Sequence, residues 1–134
     1  MKVRDYKDLQ VWQKGIDVVD AAYSVTDQFP REELYGLVSQ MRRAAVSIPA
    51  NIAEGFMRQH TGEYRQFLYV ALGSCAELET LGVIAARRTY SIAMVRAQLE
   101  EMLNHETRML ASLIRALSRV TGRGSRTTER GSDG

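Results

Sequence analysis

The stretch Gly36–Gly55, reading GLVSQMRRAAVSIPANIAEG, restricts the fold more than any other part of the chain. Leu34, Val38, Met41, Ala45, Ile48 and Ile52 recur at spacings of three and four. A helix with about 3.6 residues per turn gathers such positions into one apolar seam. Gly36, Gln40, Arg43, Ser47, Asn51 and Glu54 repeat with the same period on another face. That second stripe is small and polar, where a solvated helix more often carries Lys and Glu. Gln40, Ser47, Asn51 and Glu54 are therefore candidates for a subunit interface or a specific polar contact. Pro49 falls inside the helix and has no amide proton for the Ala45 carbonyl, so a kink is expected there.

The same period runs through the rest of the chain. A first helix is expected from Asp8, as N-cap, to about Gln28. It carries two seams, Leu9, Trp12, Ile16, Val19, Tyr23 and Val11, Val18, Ala22, Val25, Phe29, with Gly15 between. One seam suffices for a bundle core, and the second suits burial against another subunit. Phe29–Pro30 ends that helix. The second helix then runs from Arg31 to Gly55 or Phe56. A third is expected from Thr61, as N-cap, to Arg88, with Tyr64, Phe67, Leu68, Ala71, Cys75, Leu78, Leu81 and Ala85 inward. Its run of small residues, Gly73 to Ala76, suits the close approach of another helix. Ser91 is the expected cap of a fourth helix ending at Gly122, whose seam from Ile92 to Leu117 is interrupted by Glu106. With short connections, the expectation is all-α: an up-down-up-down antiparallel four-helix bundle over residues 8–120. A flexible lead (1–7) and a disordered tail (121–134) flank it.

Several function classes are excluded at this stage. The single cysteine allows no internal disulfide and suits a reducing compartment. No apolar leader opens the chain, and no run of about 18 uncharged apolar residues offers a membrane span. A cytoplasmic protein with no membrane partner is expected. A di-iron bundle site needs Glu-x-x-His on two helices, and His60 and His105 are the only histidines and complete no such motif. Zinc clusters, phosphate loops and hydrolase motifs are missing as well. Cys75 sits on an apolar helix face without a nearby base, which suits a packed thiol better than a nucleophile. The expectation is a non-enzyme with no metal and no cofactor. Glu54, Glu79 and Glu106, on or beside apolar seams, are expected to pair with arginines across helices or subunits.

The net charge is only +2, but arginine supplies 15 of the 18 basic residues. Its planar fork suits phosphate better than lysine does. Arg42, Arg43, Arg58 and Arg65 fall on the end of the second helix, the loop after it and the start of the third helix, and are the candidate nucleic-acid contacts. Arg108, Arg115 and Arg119 follow on the fourth helix, and Arg123, Arg126 and Arg130 in the tail. An oligomer would repeat the patch and strengthen binding to RNA or DNA. A protein-interaction scaffold, motivated by the second seam of the first helix (Val11 to Phe29), is the alternative.

Four segments carry a family resemblance: DLQVWQK (8–14), YGLVSQMRRAAVSIPANIAEG (35–55), EYRQFL (63–68) and ALGSCAELETL (71–81). Together they resemble the bacterial four-helix-bundle proteins first noticed as reading frames within intervening sequences of 23S ribosomal RNA genes. The similarity spans about residues 5–120. It implies a homopentamer with a central channel, and kinship with the accessory variability proteins of diversity-generating retroelements, which bind nucleic acid and a reverse transcriptase. The present chain departs from those in being only mildly basic. The matching motif positions are Gln40, Arg42, Arg43, Pro49, Asn51, Glu54 and Gly55, and the resemblance implies no catalytic role for any of them.

Overall fold

The structure, a computed structural model, describes residues 4–122, with side chains as far as Val120. The expected tail from residue 123 onward and the first three residues of the lead lie outside the described residues. Within them the chain is all-helical, with four long α-helices: α1 (Gln10–Thr26), α2 (Ser39–Phe56), α3 (Thr61–Arg87) and α4 (Ala93–Gly122). Each packs on its neighbour in sequence, and α4 returns to α1, so the four enclose one core.

The two seams of α1 divide unequally. Val11, Val18, Ala22, Val25 and Phe29 are buried inside the chain, while Ile16 and Tyr23 of the other seam are exposed. The second seam, expected to be free for a partner, is therefore the chain's own core, because α2 and α4 close over it. In the first seam Leu9, Trp12 and Val19 also pack, half-buried, against that core, so only Ile16 and Tyr23 face outward. Gly15 lies in line with the buried seam, at a spacing that continues it from Val11 to Val18. Lacking a side chain, it leaves room for Pro49 of α2 and Glu106 of α4. A Cβ on Gly15 would lie 3.3 Å from the Pro49 Cβ.

The helix starts differ from expectation. Asp8 closes a 3₁₀ turn, Tyr6–Asp8, which Asp5 caps by accepting from the Lys7 amide at 3.0 Å. Leu9 occupies the N-cap of α1 without a side-chain bond. The second helical segment opens with a 3₁₀ turn, Arg31–Glu33, and a π turn, Leu34–Val38, before α2 proper. Gly36 departs from helical geometry there, at φ −112° and ψ −106°. α2 then runs unbroken through the buried Pro49. His60, not Thr61, stands at the N-cap of α3. Ser91 does not cap α4, since its buried hydroxyl has no hydrogen-bond partner among the described residues.

Close approach of α2 and α3 occurs at Gly55, where a Cβ would meet the Phe67 Cβ at 2.7 Å. In the run Gly73 to Ala76 it is Ser74 and Cys75 that face inward, Ser74 meeting Ser47 of α2, while Gly73 faces open space. At one end of the molecule the two inter-helix connections are stitched together. The Tyr90 hydroxyl donates to Glu33 Oε2 at 3.0 Å, the Ile92 amide donates to Gln28 Oε1 at 2.9 Å, and the Phe29 and Tyr90 rings lie 5.4 Å apart. α3 is long and apolar enough by length and composition to cross a membrane. Here it buries Leu68, Ala71, Cys75 and Leu78 in the core and carries the exposed Glu77 and Glu79.

Candidate nucleic-acid and contact surfaces

The four arginines singled out by sequence do different work. Arg42 projects from α2 toward the end of α1. Its Nε donates to the Thr26 hydroxyl at 2.8 Å, and its Nη2 pairs with Asp27 at 2.9 Å. Its guanidinium also covers the Tyr23 ring at 4.3 Å. The Thr26 hydroxyl in turn donates to the Ala22 carbonyl at 2.8 Å, which buries the link. Arg42 is thus engaged within the chain. Arg58 pairs with Glu54 at 3.2 Å and lies 4.7 Å over the Phe67 ring. Arg43 is exposed, with a single bond to Ser39 Oγ at 3.2 Å. Arg65 is half-buried near the start of α3. Arg42's engagement leaves no periodic signal in the sequence, because its partners lie fifteen and sixteen residues away, at the end of another helix.

The polar stripe is partly inward. The Ser47 and Ser74 hydroxyls hydrogen-bond across α2 and α3. Asn51 donates to the Ser47 carbonyl at 2.7 Å, and Ser74 to the Val70 carbonyl at 3.1 Å. Ser47 therefore fastens α2 to α3, and Asn51, bonded to Ser47 within α2, braces that contact. Gln40 and Glu54 are exposed. The exposed apolar residues lie elsewhere: Ile16 and Tyr23 on α1, Val46 on α2, and Tyr69, Val70, Val83 and Ile84 on α3.

Glu106 breaks the expectation of an arginine partner. It is 0% exposed, and neither carboxyl oxygen has a hydrogen-bond partner among the described residues. Its Oε2 lies 3.1 Å from where a Gly15 Cβ would sit. Burial pushes its pKa up from 4.5 to about 8, Asp17 adds to the rise, and Lys14 opposes it. Near neutral pH the side chain is a neutral acid. Sequence showed only that a charge-bearing residue interrupts the α4 seam. Burial likewise pushes the Cys75 thiol up to about 12, against the pull of a Thr107 hydrogen bond. A thiol held protonated in this way is no nucleophile. Glu79 is exposed at the rim of a cavity of about 140 Å³ floored by Val25, Met41 and Leu78. No three His, Cys, Asp or Glu side chains among the described residues are grouped as a metal ion requires.

Four packed helices around one core make this an all-α helical bundle, with exposed arginines outside and the unpaired Glu106 within. The chain belongs to the 23S rRNA-intervening sequence protein family, whose sequence profile matches residues 7–112. A solved structure with the same fold is a protein of unknown function from the S23 ribosomal protein family of Bacteroides thetaiotaomicron. It is 20% identical, with a TM-score of 0.70, over 78% of this chain and 97% of that one. None of the curated proteins matches the chain.

Proposed function

We propose that this is a non-enzymatic, oligomeric bundle protein of the cytoplasm that associates with RNA or DNA through surface arginines. The observation that carries the reading is the supply of uncommitted guanidinium groups. Arg31, Arg43, Arg87, Arg88, Arg108, Arg115 and Arg119 are exposed, with no carboxylate in ion-pair range among the described residues. Arg42, by contrast, is structural, and Arg58 is shared with Glu54. Packing in the order α1–α2–α3–α4–α1 supports the up-down-up-down topology. The exposed Ile16 and Tyr23 of α1 and the outer face of α3 support self-association, for which the family resemblance implies a pentamer. One subunit has little net charge, and repetition of the arginines around a ring raises the local field.

Fluorescence anisotropy with labelled RNA and DNA, across a salt series on size-verified protein, tests the reading. Contacts to phosphate give a negative log–log salt slope and little sequence preference. Affinity independent of salt overturns it. A protein-interaction scaffold is the second reading, and the exposed Ile16 and Tyr23 favour it. If those residues stay exposed in the isolated oligomer, they await a protein partner.

A further inference from the structure

The end of the molecule that holds the α1–α2 and α3–α4 connections differs from the rest of the surface. Tyr35, in the π turn, is 92% exposed, the most open large apolar side chain described. Leu34, from the same turn, and Ile92 and Met94, from the start of α4, are exposed beside the stitched connections. Neither the core nor any described hydrogen bond uses the Tyr35 ring. Around this end stand Arg31, Arg87 and Arg88, all exposed and without an ion-pair partner among the described residues. The local acids are mostly occupied. Asp27 is held by Arg42, and Glu33 accepts from the Leu37 amide at 3.1 Å and from the Tyr90 hydroxyl. Glu32 is the exposed acid that remains. α4 also begins here with no acidic residue in its first turn, so the positive end of its dipole is not neutralised by its own side chains. Thr89, at φ 55°, turns the chain between Arg88 and Tyr90 in a conformation costly for a threonine.

An open aromatic ring at the same end of the bundle as three exposed guanidinium groups matches one ligand chemistry closely: a flat unpaired base flanked by phosphates. Proteins that hold single strands combine these two elements, stacking for the bases and cations for the backbone. RNA is the nucleic acid whose loops and bulges present such bases. We propose that this end of the bundle is a stacking platform for unpaired nucleotides of RNA, with Tyr35 taking a base on its ring and Arg31, Arg87 and Arg88 holding the neighbouring phosphates. The proposal rests on the nucleic-acid reading above and gives it a location and a preferred form of ligand. Arg42 and Arg58 have no part in it.

The test is anisotropy with a labelled 10-nucleotide single-stranded RNA, a duplex RNA and a single-stranded DNA of matching sequence, plus co-sedimentation with anionic phosphatidylglycerol vesicles. The proteins are wild type, Tyr35→Ala, Tyr35→Phe, Arg43→Gln and the double variant Arg87→Gln/Arg88→Gln, each checked for helicity and oligomer size. The wild type is expected to bind single-stranded RNA more tightly than duplex. Tyr35→Ala is expected to weaken the single-strand complex about tenfold, the loss of one stacked base, and Tyr35→Phe to restore it. The double variant is expected to flatten the salt slope by about 1.4, two phosphates' worth for a single strand. Single-strand binding untouched by Tyr35→Ala, but reduced by Arg43→Gln, overturns the platform and leaves the broader nucleic-acid reading intact. No binding to any polymer at low salt overturns both. Vesicle binding lost in Tyr35→Ala, without RNA binding, overturns the platform in favour of a lipid surface.

Discussion

Arg42 and Glu106 are the two charge-bearing side chains whose surroundings decide most. Arg42 joins α1 to α2 through a hydroxyl, a carboxylate and a ring face. Replacing it by Ala removes these contacts and leaves the buried Thr26 hydroxyl with one partner fewer. The expected loss is roughly 1–3 kcal/mol, discounted toward the low end by the exposure of Asp27, and read as a lower Tm. Glu106 gives a pH dependence of fixed sign. Its folded-state pKa, about 8, lies above its ordinary 4.5. Below pH 4.5 both folded and unfolded chains hold the proton. Between 4.5 and 8 only the folded chain does, so stability falls as pH rises, and the fall ends above 8. The whole span is on the order of 5 kcal/mol. Thermal melts of the wild type and Glu106→Gln across that range are expected to diverge, with the variant flat where the wild type declines.

At the scale of elements, the glycines separate packing from mere permissiveness. Gly55→Ala is expected to destabilise by roughly 1–3 kcal/mol, because the new methyl meets the Phe67 Cβ and pushes α2 from α3. Gly73→Ala places its methyl in open space, so the better helix former is expected to raise stability by up to about 1 kcal/mol. Chemical denaturation of the pair checks both signs. The run Gly73 to Ala76 announced approach on α3, and α2 does come close at Ser74. The register between helices, which sequence does not show, put Gly73 outside and the tightest glycine contact at Gly55. Helix existence was legible because the three-and-four spacing records the period of the backbone. Helix starts were not. Asp8, Thr61 and Ser91 all have the chemistry of a cap, yet the chain enters α1, α3 and α4 through Leu9, His60 and the residues after Ser91. A cap preference of about 1 kcal/mol yields when connections are drawn together by contacts such as Tyr90 with Glu33.

For the whole molecule, surplus apolar surface is the guide. Both α1 seams were legible, but choosing the inner one required knowing where α2 and α4 lie. The buried seam contains Gly15, whose missing side chain admits Pro49 and Glu106. Likewise, the arginine count was legible and the commitment of Arg42 was not, because pairing between helices leaves no periodic trace. If Ile16 and Tyr23 are covered between subunits, Ile16→Glu is expected to reduce the oligomer seen by sedimentation to smaller species while helicity persists, since Ile16 is not part of the chain's own core. The π turn at Leu34–Val38 has a consequence of another kind. Such a turn accommodates one residue more than an α-helical path between the same endpoints. Deleting a single residue there would turn the residues just before the cut about 100° around the helix axis relative to Ser39–Phe56. Val18, Ala22 and Val25 hold α1 in the core, so the α1–α2 connection alone would have to absorb that turn, and the extra residue is what lets α1 and α2 both keep their packing.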